Sequence, residues 1–133
     1  MKKYLIYLVD DDPVFTEMMY ESLCDNPKLE IKNFDTGERC LQQLDKKPDL
    51  IVLDYFLDLK DPNAKNGLEV LSIIRQVLPD VEVIVLSGQL LPDVTFDFIM
   101  TYDVTHYLVK DENAIQNLQM AVDSVLIELE SGI

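Results

Sequence analysis

The chain has 133 residues, of which 48% are hydrophobic and 27% charged, and its formal net charge is −14 at pH 7. This length and composition are typical of one soluble globular domain, and the negative charge argues against unaided binding to nucleic acid, whose phosphates would be repelled. No apolar run approaches the ~20 residues of a membrane helix, and the N-terminal run lacks the cleavage site of a signal peptide. We therefore expect a cytoplasmic protein that meets basic partners or binds cations.

The first part of the chain predicts two strand–helix pairs. Tyr4–Val9 is an apolar run rich in strand-forming residues. Asp12 then provides a helix cap followed by a proline at the first helical position, which predicts a helix over Pro13–Cys24. Leu29–Phe34 alternates apolar and polar residues, which indicates a half-buried strand near a sheet edge. A second helix is expected over residues 36–44.

The middle of the chain predicts two buried strands around one helix. Asp49–Asp54 is a continuous apolar run that ends in a carboxylate, as expected for a central parallel strand covered on both faces. Asn66 and Glu69 have the spacing of a capping box, which predicts a helix from there to Pro79. Val81–Gly88 is the second buried strand.

The last part of the chain predicts a helix over residues 92–102, a short strand over 106–110 and a helix over 112–129. The last helix has one apolar stripe, formed by Ile115, Leu118, Val122, Val125 and Leu129. Five strands that alternate with five helices predict a doubly wound α/β fold, in which helices cover both faces of a parallel sheet. With no linker in the sequence, we expect residues 1–133 to form one domain.

The two cysteines, Cys24 and Cys40, both fall within helical apolar patterns. They have neither the close spacing nor the histidine partners of a metal site. We expect both to be reduced core residues.

Polar side chains stand where the predicted strands end. They are Asp10, Asp11 and Asp12 at the end of strand one, Asp54 at the end of strand three, Ser87 at the end of strand four and Lys110 at the end of strand five. The carboxyl ends of parallel strands meet at one edge of a sheet, where ligands bind. Clustered carboxylates oppose each other's ionisation, and Mg²⁺ relieves this because it prefers carboxylate and phosphate oxygens. The set predicts phosphoryl-transfer chemistry, with Asp12 better explained as a helix cap.

With these residues in this order, the chain resembles the receiver domains of two-component response regulators over essentially its full length. In that family an acidic pair follows strand one, an aspartate ends strand three, a serine or threonine ends strand four and a lysine ends strand five. The resemblance implies a flavodoxin-like sheet with the strand order 2-1-3-4-5. It also implies a phosphorelay switch rather than a turnover enzyme.

The resemblance implies a phosphoacceptor and a metal site. Asp54 would accept a phosphoryl group from a sensor histidine kinase or a phosphotransfer protein. Asp11, Asp54 and the backbone carbonyl of Phe56 would ligate Mg²⁺, and Asp10 would act through water. Phosphorylation and the slow loss of phosphate would be catalysed by the domain itself.

The resemblance also implies residues that respond to the phosphoryl group. Lys110 and Ser87 would bind it, and Ser87 with Tyr107 would form the switch. Phe56 and Gln89 occupy positions that tune the lifetime of the phosphoaspartate in the family.

The partners implied are the phosphodonor and either a downstream protein or an effector domain missing from this chain. A homodimer through the predicted helix four, strand five and helix five is a further expectation. Neither direct binding to nucleic acid nor binding to a membrane is expected.

The sequence departs from the family at several positions. Thirteen positions separate Asp54 from Gly67, which is a longer acceptor loop than usual, and Asp58 replaces a common proline there. Asp111, where the family has proline, leaves the geometry of the Lys110–Asp111 bond open. Asp103 precedes strand five where a small residue is usual, and aspartate tolerates a left-handed turn.

Other protein classes remain as alternatives. A receiver-like fold without phosphorylation would act only as an interaction module. A flavin-binding electron carrier would need a hydroxyl- and glycine-rich loop where this chain has aspartates. A phosphatase of the haloacid dehalogenase type would need a threonine at the position of Val14. His106, the only histidine, is expected to be an exposed surface residue rather than a relay residue.

Overall fold

In a computed structural model, which describes residues 3–57, 61, 63–88 and 91–132, five parallel strands form one sheet. The strands are β1 (Tyr4–Val9), β2 (Leu29–Phe34), β3 (Leu50–Asp54), β4 (Glu82–Ser87) and β5 (His106–Val109). Their order in the sheet is β2-β1-β3-β4-β5, and each neighbouring pair is parallel. The predicted doubly wound fold and its strand order are confirmed, and β2 lies at a sheet edge as its alternating pattern indicated.

Helices cover both faces of the sheet. They are α1 (Pro13–Leu23), α2 (Gly37–Leu41), α3 (Gly67–Val77), α4 (Asp93–Met100) and α5 (Ala114–Ser131). Apolar residues of α1 and α5 pack on one face, and those of α2, α3 and α4 pack on the other. Every residue of β3 is buried, because its side chains alternate between these two cores. The predicted stripe of α5 faces the first core, where Leu118, Val122 and Val125 are buried.

Local capping places the helices at the points that the sequence predicts. The Asp12 side chain accepts hydrogen bonds from the backbone N–H groups of Val14 and Phe15, and Pro13 is the first residue of α1. Asn66 and Glu69 form the reciprocal capping box at the start of α3. These bonds satisfy N–H groups that have no partner within a helix, so both helices start directly beside the loops that follow β1 and β3.

Three predictions about local structure are wrong. The second helix ends at Leu41 rather than Leu44, and a 3₁₀ turn over Leu44–Lys46 follows. Lys47 then has a left-handed backbone with φ of 54°, which turns the chain toward β3 before another α-helical turn can form. Cys24 is exposed because it is the C-terminal cap of α1, whereas Cys40 is buried as predicted. His106 is half-buried within β5 rather than exposed.

The two residues around β5 that depart from the family pattern, Asp111 and Asp103, have different backbone geometries. The peptide bonds of the described ranges are all trans, which includes the Lys110–Asp111 bond. Asp103 has φ of 60° and makes the predicted left-handed turn before β5. Within the described ranges, none of the helices combines the length and apolarity that crossing a membrane requires.

Gly67 allows the start of α3 to approach the end of β3. A Cβ atom added at Gly67 would lie 2.4 Å from the Tyr55 Cα atom and 2.9 Å from the Asp54 carbonyl oxygen. Because these neighbours are backbone atoms, they cannot move aside as a flexible side chain would. We predict that Gly67→Ala lowers the free energy of unfolding by about 1–3 kcal/mol, measured by urea denaturation.

Gly88→Ala is the matched control, because a Cβ atom at Gly88 would have no neighbour within 4 Å among the described residues. The control should change the stability by less than about 0.5 kcal/mol. Equal effects of the two substitutions would contradict the close approach at Gly67.

Candidate functional site

The three carboxylates that the sequence analysis identified lie close together at the carboxyl ends of the strands. Asp10 and Asp11 directly follow β1, Asp54 ends β3, and these two strands are neighbours. Each of the three residues offers an oxygen that lies within 4.8 Å of the others. Asp10 is 2% exposed and Asp54 is 3% exposed, and Asp11 is partly exposed. The sequence-predicted acidic cluster is therefore a compact set of oxygen ligands.

Lys110 brings a positive charge into this cluster. Its Nζ atom lies 2.7 Å from Asp10 Oδ2 and 3.4 Å from Asp54 Oδ2. Its backbone N–H donates to the carbonyl of Ser87, which ties the end of β5 to the end of β4. The ammonium also lies over the ring of Phe15, 4.6 Å from the ring centroid.

Backbone N–H groups fix the orientation of the two buried carboxylates. The N–H of Asp12 donates to Asp10 Oδ1 over 2.9 Å, and the N–H of Phe56 donates to Asp54 Oδ1 over 3.1 Å. In each case the other carboxylate oxygen, Oδ2, faces the Lys110 ammonium. Each of the two carboxylates thus has one oxygen that accepts a backbone hydrogen bond and one oxygen that faces the Lys110 ammonium.

The environment changes the ionisation of Asp54 and Lys110. Burial, reinforced by the negative charge of Asp10, raises the pKa of Asp54 to about 7, although Lys110 and the Phe56 N–H act in the opposite direction. Burial alone would lower the pKa of Lys110, but the hydrogen bond to Asp10 and the charges of Asp54 and Asp10 outweigh it and raise that pKa. Lys110 is thus a stable cation, whereas an added positive charge would favour the ionised form of Asp54.

Ser87, like the carboxylates, lies at the carboxyl end of a strand. It is the last residue of β4 and is buried. In the register of the sheet, Asp54 pairs with Leu86, and Ser87 pairs with Val109 of β5. Ser87 therefore stands between the strand that carries Asp54 and the strand that precedes Lys110.

Tyr107 packs toward the interior beside α4. Its ring meets the ring of Phe96 edge to face, with centroids 5.3 Å apart and an interplanar angle of 84°. Its Oη atom is buried and has no hydrogen-bond partner among the described residues. A buried hydroxyl without a partner is destabilising, so this position of the ring carries an energetic cost.

The two predicted lifetime-tuning residues are placed differently. Phe56 is half-buried next to Asp54, and its ring contacts the Tyr55 ring edge to face with centroids 5.0 Å apart. Gln89 and Asp58 lie outside the described residues, so the predictions about them stay predictions.

Two contacts at the site were not predicted from the sequence. One is the Phe15 ring under the Lys110 ammonium, for which the only signal is its place three residues after the Asp12 cap. The other is Glu38 of α2, whose Oε2 atom accepts a hydrogen bond from the backbone N–H of Lys65 over 2.9 Å. This bond ties the acceptor loop to α2, and no spacing in the sequence indicates it.

A cleft of about 810 Å³ opens beside the acidic cluster. Asp10 and Asp11 form part of its wall, together with Thr16 of α1, Phe34 of β2 and Arg39 of α2. A molecule in this cleft would therefore reach Asp10 and Asp11 from the solvent.

Comparisons with known proteins agree with this geometry. The sequence model of the response regulator receiver domain matches residues 6–123. The chain therefore belongs to the response regulator receiver domain family. No curated protein matches the chain.

Solved structures of receiver domains share the fold. The signal receiver domain of a putative Luxo repressor protein from Vibrio parahaemolyticus has a TM-score of 0.82 and 24% identity, over 98% of this chain and 95% of that one. A CheY-like receiver domain protein from Methanospirillum hungatei JF-1 has a TM-score of 0.79 and 16% identity, over 98% of this chain and 99% of that one.

The RcsB response regulator of Salmonella typhimurium is a longer chain, part of which has a similar structure. It has a TM-score of 0.81 and 17% identity, and the match covers 96% of this chain. The match spans only 62% of the RcsB chain. At these identities the likeness concerns the fold alone.

The raised pKa of Asp54 predicts a stability that depends on pH. Its pKa is higher in the folded chain than in an unfolded one, so the ionised carboxylate destabilises the fold as the pH rises from about 4 to about 7. We predict that Asp54→Asn raises the free energy of unfolding by on the order of 1–3 kcal/mol at pH 8 and by much less at pH 4.5. Denaturation with a chelator present measures both values, and a gain that does not depend on pH would contradict the assignment.

The buried hydroxyl of Tyr107 predicts a substitution that stabilises the fold. Tyr107→Phe removes a hydroxyl that has no partner among the residues that the structure describes, and it should raise the free energy of unfolding by about 1 kcal/mol. Tyr7→Phe is the matched control, because the Tyr7 hydroxyl donates to the Gln43 carbonyl. The control should lower the stability by about 1 kcal/mol, and effects of the same sign would contradict the difference between the two hydroxyls.

Proposed function

We propose that this receiver domain accepts a phosphoryl group on Asp54 in a Mg²⁺-dependent reaction and thereby switches its binding to a protein partner. The observation that carries this proposal is the meeting of Asp10, Asp11 and Asp54 with Lys110 at the carboxyl ends of three strands. Membership in the family supports it, because the chain keeps each residue type that the family uses at these strand ends.

The proposed reaction transfers a phosphoryl group from nitrogen to oxygen. An Asp54 carboxylate oxygen attacks the phosphorus of a phosphohistidine, and the phosphorus–nitrogen bond breaks with its electrons left on the imidazole. The Asp54 oxygen that faces Lys110 is the natural nucleophile, since the other oxygen accepts the Phe56 N–H. Attack of water on the phosphoaspartate later restores the carboxylate and releases phosphate. Both steps rely on positioned groups of the chain itself.

The acidic cluster fits a magnesium ion. Three carboxylates with oxygens within 4.8 Å of one another form a set of hard oxygen donors, which is the type of ligand that Mg²⁺ prefers. Asp11 and Asp54 would hold the ion with the Phe56 carbonyl, and Asp10 would act through water. When bound, Mg²⁺ neutralises charge on the carboxylates and on the phosphoryl oxygens.

Lys110 and Ser87 are proposed to hold the phosphoryl group after transfer. The Lys110 ammonium already faces Asp54, so a phosphoryl group on that carboxylate would meet it as an anion meets a cation. Ser87 is buried at the neighbouring strand end, and its hydroxyl would donate to a phosphoryl oxygen. Phe56 and Gln89 are proposed to tune the lifetime of the phosphoaspartate.

We propose that Ser87 and Tyr107 together form the switch. They lie on the neighbouring strands β4 and β5, and the Tyr107 ring contacts Phe96 of α4. The Tyr107 hydroxyl has no hydrogen-bond partner within the described part of the chain, so a small change nearby could alter the balance between ring positions. A change in the position of the Tyr107 ring would alter the surface formed by α4, β5 and α5.

That face is the proposed surface for a downstream protein. Met100 at the end of α4 and Met120 and Ile127 on α5 are exposed large apolar residues. Burial of such residues contributes to protein–protein binding. A sensor histidine kinase or a phosphotransfer protein is the proposed donor, and the cytoplasm is the proposed location. A homodimer through the same face and the single-domain extent of the chain stay predictions.

Phosphorylation by acetyl phosphate tests the proposal directly. We expect intact-protein mass spectrometry to show one phosphoryl group on the wild-type protein with Mg²⁺ present and at most about a tenth of that signal after chelation. Asp54→Asn should show none. Asp12→Asn is the matched control, because its side chain caps α1 and asparagine caps a helix about as well.

The control variant should be phosphorylated within about twofold of the wild type. A folded wild-type protein that takes no phosphate with Mg²⁺ present would favour an interaction module that is not phosphorylated. Phosphorylation that persists in Asp54→Asn would place the acceptor elsewhere.

A further inference from the structure

Phe15 presents its aromatic ring to the charged end of Lys110. The Nζ atom of Lys110 lies 4.6 Å from the ring centroid, which is within the range of cation–π attraction. Phe15 belongs to the first turn of α1, and its backbone N–H donates to the Asp12 cap over 3.3 Å. The ring is thus attached to a helix start that is itself fixed next to the acidic cluster.

The Lys110 ammonium contacts groups of two different kinds. Asp10 and Asp54 are 2.7 Å and 3.4 Å away, and the ammonium also lies over the Phe15 ring. The Lys110 side chain is 16% exposed. A lysine side chain has four methylene groups and much rotational freedom. The two carboxylates alone would therefore let the Lys110 ammonium contact them from several directions.

We propose that Phe15 is a positioning residue for Lys110. Its ring holds the ammonium over Asp10 and Asp54, at the place where it meets a phosphoryl group on Asp54. The consequence for phosphoryl transfer rests on the function proposed above, whereas the placement of Lys110 stands on the contacts alone.

The aromatic character of Phe15 is what the placement requires. An aliphatic side chain could fill the same space against the core, which Phe15 partly contacts, but it has no negative ring face for a cation. Beside an aliphatic group that side of the ammonium would lose water without gaining an attraction in its place. Phe15→Leu therefore keeps the packing and removes the attraction, and Phe15→Tyr keeps both.

Proton NMR of the lysine side chains measures the placement. Protons above the face of an aromatic ring resonate upfield, so the Lys110 ε-methylene signal should be upfield of the other lysines. Lys110→Arg assigns the signal by removing it. We expect the upfield position in the wild type and in Phe15→Tyr, and its loss in Phe15→Leu. Ile31→Val, which alters the same core at the edge strand, should leave it unchanged.

Phosphorylation kinetics measure the consequence. With acetyl phosphate and Mg²⁺, Phe15→Leu should lower the maximal rate by about threefold to tenfold with little change in the KM for the donor. Phe15→Tyr and Ile31→Val should stay within about twofold of the wild type. A purely structural role would instead give equal losses in Phe15→Leu and Ile31→Val.

An upfield signal that is missing in the wild type, or that survives in Phe15→Leu, would overturn the placement. An unchanged rate in Phe15→Leu despite a lost upfield signal would overturn the positioning role. A wild-type protein that takes no phosphate contradicts the function proposed above, and the proton signal then decides alone whether Phe15 holds Lys110.

Discussion

The repulsion among buried carboxylates is the constraint on which the rest of this site depends. Asp10 and Asp54 are almost fully buried, and Asp11 lies close to both. Like charges so close disfavour ionisation, and the raised pKa of Asp54 reflects both its burial and Asp10. Lys110 offsets part of this cost through its ion pairs. Because these residues come from the ends of three separate strands, the cluster exists only when the order of the parallel sheet is complete.

The same repulsion makes the site responsive. A cation or a phosphoryl group changes the charge at a place where little water screens it, so the free-energy effect is larger than it would be on the surface. Tyr107 lies nearby with a buried hydroxyl that has no partner among the described residues, and its Phe96 contact offsets part of that cost. The buried hydroxyl and the Phe96 contact thus act in opposite directions on the stability of this ring position.

The sequence predicts the parts of this molecule that depend on local pattern. Continuous apolar runs predict the buried strands β1, β3 and β4, and strand ends predict which polar residues meet, because the topology of parallel sheets leaves few alternatives. Tertiary geometry decides the rest. The end of α2 and the exposure of Cys24 depend on where the chain turns toward the next strand. The Phe15 contact joins α1 to the end of β5, and no sequence spacing encodes a distance between such remote elements.

The departures from the family pattern are compensated by local bonds. The C-terminal end of the acceptor loop is held by Glu38, which accepts the Lys65 N–H, and by the close approach at Gly67. Where the family has proline after its lysine, the Asp111 side chain accepts the Asn113 N–H, and its carbonyl accepts the Ala114 N–H. These two bonds define the turn into α5 in place of a restricted proline ring. Since Lys110 precedes this turn, its contacts with Asp10 and Asp54 remain in place, and the changes around the site leave the acidic cluster intact.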